Sequence, residues 1–128
     1  MTVTVWTRIS NYKPDGSYTF EGRNLVVVKL ESEHDVTFRV NKLVILGLLD
    51  VSDANVTIEA DAFYHVGMIC GKNVTIHTQH LYLNKNNDKK LIKEINSLRL
   101  GVDIKQIDTN KSGKIKAINV TFLPYKKP

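Results

Sequence analysis

This sequence of 128 residues has a single cysteine and no long apolar run, and each shortage excludes some classes of protein. A single cysteine, Cys70, excludes an internal disulfide and leaves no second thiol for a CxxC metal or redox motif, so we expect a buried, inert side chain. The longest apolar run, residues 43–49, is too short to span a bilayer, and the amino terminus lacks the order of a signal peptide. We therefore expect one cytoplasmic domain without membrane insertion.

Catalytic signatures are missing as well. No GxSxG, P-loop, GxGxxG or HExxH pattern is present, and spacing does not assemble a nucleophile with its base. His65, His77 and His80 are close in sequence, but a metal site needs further ligands that no pattern supplies, so we interpret them as ordinary histidines. The sequence predicts a non-enzymatic protein that needs no cofactor.

What the sequence does contain is a series of short runs with the period-two alternation of β-strands. They lie at residues 3–9, 36–40, 56–60, 74–78 and 118–122. One helix is predicted after Asp88, where Leu91, Ile95 and Leu98 follow helical spacing and Gly101 is placed to end it. The segment after the helix predicts a hairpin.

This order of elements favours a mainly β fold, a small antiparallel β-barrel with one late helix. A repeated four-residue word offers an alternative, and its copies are Asp35-Val36-Thr37-Phe38, Asn55-Val56-Thr57-Ile58, Asn73-Val74-Thr75-Ile76 and Asn119-Val120-Thr121-Phe122. Spacings of 20 and 18 residues between the first three suit the coils of a parallel β-solenoid. The fourth copy lies 46 residues further on, beyond the helix. We therefore favour the barrel and keep the solenoid as the alternative.

One stretch carries a functional suggestion. Asp50, Ser52 and Asp53 follow an apolar run directly, and their side chains accept hydrogen bonds from nearby backbone N–H groups. Asn55 tolerates the left-handed backbone conformation better than other residues with a side chain. The stretch therefore predicts a tight polar turn at the rim of a sheet, where a ligand can reach the Asp and Ser side chains.

The sequence Asp50-Val51-Ser52-Asp53-Ala54-Asn55 resembles the DxSxxG signature of PilZ domains, with Asn55 in the place of the glycine. Residues 113–123 also resemble the closing strand of that family. The resemblance covers about residues 23–125. It leaves residues 1–22 as an N-terminal strand extension and residues 126–128 as a tail of a single domain.

The resemblance implies a six-stranded barrel that binds the bacterial second messenger cyclic di-GMP. In the family, the Asp and Ser of the signature contact the guanine and an RxxxR motif holds phosphate, so the implied ligand-binding residues are Arg23, Asp50, Ser52 and Asn55. Thr19 stands where the first Arg of RxxxR belongs. A hydroxyl lacks the bidentate, permanently charged contacts of a guanidinium. The expectation is a cyclic di-GMP receptor or a degenerate PilZ adaptor that acts through protein–protein contacts in signalling.

Two further classes stay open. The net charge of +5 and aromatic residues near basic ones are typical of an OB-like barrel that binds nucleic acid. The repeated word is typical of a structural or assembly protein built from β-repeats. All three classes leave the oligomeric state open.

Overall fold

The computed structural model describes residues 8–83, 89–98, 102–109 and 115–122. Their elements are, in chain order, β1 (Arg8–Tyr12), β2 (Tyr18–Glu31), β3 (Val36–Asp50), β4 (Asn55–His65), β5 (Met68–Cys70), β6 (Asn73–Leu83), α1 (Lys89–Ser97), β7 (Val102–Thr109) and β8 (Ile115–Phe122). No helix among these residues is long and apolar enough to cross a membrane.

Six of the strands form one parallel sheet, in which the chain winds in successive coils around a common axis. Its order is β1-β2-β3-β4-β6, and β5 pairs with β3. Tyr18 pairs with Val36, Val36 with Val56, and Val56 with Val74, so each strand lies one coil of 18 to 20 residues before its neighbour. This offset defines a β-solenoid. The antiparallel barrel prediction is therefore wrong, and the solenoid alternative is confirmed.

The repeated word sets the register of the coils. Asp35, Asn55 and Asn73 stand at the same corner of three successive coils. The backbone N–H of Asn55 donates to Oδ1 of Asp35 at 2.9 Å, and Nδ2 of Asn73 donates to Oδ1 of Asn55 at 2.9 Å. A slip of one residue would turn every apolar side chain to the wrong face, so this ladder and the apolar alternation specify the same alignment.

The interior of the coils is a stack of apolar columns. Phe20, Phe38 and Ile58 form one column and are at most 1% exposed, and the rings of Phe20 and Phe38 stack with centroids 5.2 Å apart. Each Leu, Ile, Val or Phe buried in this way contributes about 1.5–3 kcal/mol relative to an exposed side chain. Stacking of coils is therefore the main source of stability.

A glycine contact lets consecutive coils approach each other. A Cβ atom at Gly67 would fall on the carbonyl oxygen of Gly47, and one at Gly47 would fall on the carbonyl oxygen of Val28. The N–H of Gly67 donates to the carbonyl of Ile45 at 2.6 Å. Since these clashes are with backbone atoms, no side chain fits at either position.

The predicted helix is confirmed as α1 and covers an outward face of the solenoid. Leu91 and Ile95 of α1 are buried against Val44 and Tyr64. The caps expected at Asp88 and Gly101 lie outside the described residues. The predicted C-terminal hairpin is also confirmed, because β7 and β8 pair antiparallel in a separate two-stranded sheet.

The expected boundary between the N-terminal extension and the core of the single domain falls within a strand. The boundary between residues 22 and 23 lies inside β2, which runs from Tyr18 to Glu31. Both halves of β2 pair with β3, so the first half belongs to the same solenoid as the second.

Candidate functional site

The four residues expected to bind cyclic di-GMP lie at two places on the coil. Asp50 ends β3 and pairs with Glu31 of the preceding coil, and Ser52 and Asn55 follow it. Arg23 is exposed in β2, eight residues before Glu31. Asp50 and Ser52 thus share one turn, and Arg23 lies eight residues along β2 from the strand partner of Asp50.

Asp50 and Ser52 build the turn between β3 and β4. The backbone N–H of Ser52 donates to Oδ1 of Asp50 at 2.9 Å, and the N–H of Ala54 donates to the carbonyl of Val51 at 2.9 Å. Ser52 has a φ of 55°, so the left-handed residue of the turn is Ser52, whereas Asn55 begins β4. The predicted turn is present, and one carboxylate oxygen of Asp50 holds its backbone.

A row of three charged side chains and one histidine crosses the coils on one outward face. Glu21, Arg39, Glu59 and His77 occupy paired positions in four successive coils. Nε of Arg39 donates to Oε2 of Glu59 at 2.8 Å, and its Nη1 lies 4.0 Å from Oε1 of Glu21. These side chains are 34–57% exposed, and such ion pairs contribute at most about 1 kcal/mol each. The row helps to align the coils.

An open depression of about 630 Å³ lies beside this row. It is lined by Glu59, Ala60, Asp61, Ile76, His77, Thr78 and Gln79. Glu59 is engaged by Arg39, which leaves Asp61 as the other carboxylate of the lining. In the part of the chain that the structure describes, no group of three His, Cys, Asp or Glu side chains is arranged to hold a metal ion.

His65 differs from the other histidines because it occupies an interior column. It pairs with Ile45 on one side and with Leu83 on the other, and its ring stacks on Phe63 with centroids 5.4 Å apart. Burial lowers the pKa of His65, and a hydrogen bond to the backbone of Gly67 partly opposes that shift. The neutral imidazole is therefore the form that fits this position.

The end of the solenoid formed by β6 presents interior columns to solvent. Among the described strands, β6 pairs with β4 alone. Its apolar side chains Val74, Ile76, Leu81 and Leu83 are 40%, 37%, 50% and 57% exposed. In the coil below, the partners of the first three, Val56, Ile58 and Phe63, are each 0% exposed, and the partner of Leu83 is the half-buried His65. We refer to β6 with these four side chains as the open end.

The sequence of β6 does not protect this edge. Its eleven residues, NVTIHTQHLYL, include no Asp, Glu, Lys, Arg, Pro or Gly. Edge strands of natural proteins are usually short or carry Lys, Pro or bulges that prevent pairing with another chain. A long, uncharged, alternating edge is therefore suited to accept a further strand.

The opposite end of the solenoid is closed by side chains. β1 pairs with residues 26–30 of β2, beyond Phe20. Phe20 is 1% exposed, and the rings of Tyr12 and Tyr18 lie 5.8 Å and 4.6 Å from its ring between centroids. Pro14, in the loop between β1 and β2, is also buried. We refer to this arrangement as the closed end.

No family model, no curated protein and no solved structure matches this chain.

The sequence reasoning missed the open end. The signal was present, because β6 carries the third copy of the repeated word and is the one long strand of the solenoid sheet without a formal charge. Alternation alone predicted a half-buried strand there and gave no reason to expect a missing neighbour.

Proposed function

We propose that this chain is a structural β-solenoid that assembles with another polypeptide by adding a strand to its open end. One observation supports the proposal above all: Val74, Ile76, Leu81 and Leu83 continue buried columns and are themselves 37–57% exposed. The proposed function is non-enzymatic, and in it the protein acts through protein–protein contacts.

Strand addition would supply two kinds of contact at once. The edge of β6 that no described strand occupies offers backbone N–H and C=O groups to an incoming strand, and the exposed columns offer apolar contacts to alternate side chains. Full burial of a Val, Leu or Ile contributes about 1.5–3 kcal/mol, so covering the exposed part of these four would gain on the order of 3–5 kcal/mol before the cost of association.

The cyclic di-GMP hypothesis stays a prediction from six residues. In the solenoid, one carboxylate oxygen of Asp50 accepts from the backbone of its own turn, and Arg23 lies in β2 eight residues before the strand partner of Asp50. The OB-like alternative depended on a barrel, and we do not propose it.

A single inward-facing charge tests the proposal. We expect the mass measured by sedimentation velocity to rise with concentration for the wild-type chain, with the β6 amides becoming protected from hydrogen exchange. Ile76→Lys should keep the chain monomeric, because the ammonium would be buried in the added column. Thr75→Lys, on the outward face of the same strand, is the matched control and should weaken association less than Ile76→Lys does, because its ammonium stays in solvent.

The contradicting result is equally clear. A wild-type chain that stays monomeric over the whole concentration range, with β6 amides that exchange equally fast throughout, would exclude assembly of copies at this edge.

A further inference from the structure

The repeated word has one copy outside the coils. Three copies start strands at equivalent positions, where Asp35, Asn55 and Asn73 are stacked. The third of these belongs to β6, at the open end. The fourth, residues 119–122, lies in β8.

β8 also has an edge available for pairing. In the two-stranded sheet β7-β8, one edge of β8 is used by antiparallel pairs such as Ile104 with Val120. Within the described residues, its other edge has no strand partner. Two available edges in one chain, those of β6 and β8, therefore carry the same word.

We propose that the open end takes up β8 from a second copy of this chain, in parallel and in register with β6. This inference rests on the proposed function and names the partner. The register that aligns the words sets Asn119 beside Asn73, Val120 beside Val74 and Phe122 beside Ile76. Asn119 would extend the amide ladder, and Phe122 would enter a column that already holds Phe20, Phe38 and Ile58.

The charges of the two segments permit this pairing. β6 has no formally charged residue, and neither do residues 119–122, so the two strands meet without like-charge repulsion. Elsewhere in the solenoid a word pairs with the next word in parallel, with offsets of 20 and 18 residues along the chain. The proposed pair repeats that geometry between two molecules.

The structure favours a second copy of the chain as the source of the added strand β8. In one chain, β8 is held in its hairpin while the side chains of β6 stay exposed. Head-to-tail stacking onto the column of Phe20 is disfavoured, because the rings of Tyr12 and Tyr18 already pack against it. If each copy gives one β8 and receives one, the exchange closes into a two-fold pair and does not grow into a filament.

Mixed single-cysteine variants test the register directly. In a Cys70→Ser background, Thr75→Cys and Thr121→Cys are prepared separately, mixed at high concentration and oxidised. Neighbouring strands are about 4.8 Å apart, which lies within the Cα separation of about 4.4–6.8 Å that a disulfide spans. We expect a disulfide-linked pair that contains one chain of each kind. Lys116→Cys mixed with Thr75→Cys is the matched control, five residues out of register, and should give no such pair.

The remaining outcomes separate the inference from the function. If Thr75→Cys links only to itself, the open end pairs with another β6, so assembly stands and the assignment of β8 is overturned. If the double variant Thr75→Cys/Thr121→Cys closes within one molecule and the mixture gives no crossed pair, β8 completes its own solenoid and both proposals are overturned. A chain that forms none of these links and remains monomeric overturns the assignment of β8 and excludes assembly of copies at this edge.

Discussion

Phe20 and Ile76 occupy the same interior column at opposite ends of the solenoid, yet Phe20 is 1% exposed and Ile76 is 37% exposed. The first is covered by the rings of Tyr12 and Tyr18, which the chain folds over its own first coil. The second faces a position that no described strand occupies. The same apolar alternation thus produces a closed surface at one end and an interaction surface at the other.

This difference between the two ends shows which part of a repeat protein is available to bind a partner. Each coil of a solenoid buries its apolar side chains only against neighbours, so the terminal coils need a cap or a partner. The closed end has an aromatic cap, whereas the open end keeps four columns and a strand edge in solvent. Both ends are built from the same apolar columns, but only one end is capped. We infer assembly from this difference.

We expect the largest loss of stability from a substitution at a point where two coils touch, because both ends of the solenoid depend on the stacking of coils. Gly67→Ala places a Cβ atom on the carbonyl oxygen of Gly47, and relief requires moving the backbone of two coils. We expect a loss of at least about 3 kcal/mol in the free energy of unfolding, measured by urea denaturation.

Gly16→Ala is the matched control for that substitution. A Cβ atom at Gly16 has no atom within 4 Å, so the free energy of unfolding should change by less than about 1 kcal/mol. Equal losses for both variants would show that the coils do not meet at Gly67.

A smaller, graded effect is expected along the shared column. Ile58→Ala removes a fully buried side chain and should cost about 2–5 kcal/mol, and Phe20→Ala at the closed end should cost about 3–5 kcal/mol. Ile76→Ala makes the same chemical change as Ile58→Ala at a partly exposed site and should cost about 1–2 kcal/mol in the dilute chain.

Concentration sharpens this comparison. The cost of Ile76→Ala should increase when the chain is concentrated enough to assemble, whereas the cost of Ile58→Ala should stay constant. A cost for Ile76→Ala that equals that of Ile58→Ala in dilute solution would mean that the open end is already covered.

Much of the local structure could be predicted from the sequence. Alternation predicted the runs 36–40, 56–60, 74–78 and 118–122, which lie in β3, β4, β6 and β8, whereas most of the run 3–9 lies outside the described residues. Helical spacing predicted α1 through Leu91 and Ile95, and turn residues predicted the turn at Asp50. Parallel pairing could not be read from alternation, because period two places one face inside whether the neighbouring strand is parallel or antiparallel. The usual cue for parallel sheets, a continuous apolar run, is weak here because part of the outward face is solvated.

The tertiary arrangement was contained in the repeated word, whose spacings of 20 and 18 residues became the pairing offsets of Asn55 and Asn73. The fourth copy argued against it only because β8 lies in a separate hairpin. The expected nucleotide site shows a different limit. An Asp followed two residues later by Ser builds the same turn in a barrel or a solenoid, so the motif predicted a turn correctly without identifying the fold around it.

The smallest effect concerns pH and the coil just below the open end. Burial lowers the pKa of His65, so the unfolded chain binds a proton more readily than the folded chain. The stability that this difference provides is complete above the unfolded pKa of about 6.5 and is lost as the pH falls through the lower folded value. We expect the melting temperature to fall between pH 7.5 and pH 5.5, and His65→Gln should reduce that fall.

A control variant, and a comparison of the assembled protein with the dilute chain, make the pH measurement informative. His34→Gln is the matched control, because it makes the same substitution at an exposed histidine. His65 pairs with Leu83, which is 57% exposed, so an added strand that extends as far as Leu83 would bury His65 further and lower its pKa more. With such a strand, the fall in melting temperature between the two pH values should be larger in the assembled protein than in the dilute chain. An identical fall in both would mean that the added strand does not cover Leu83.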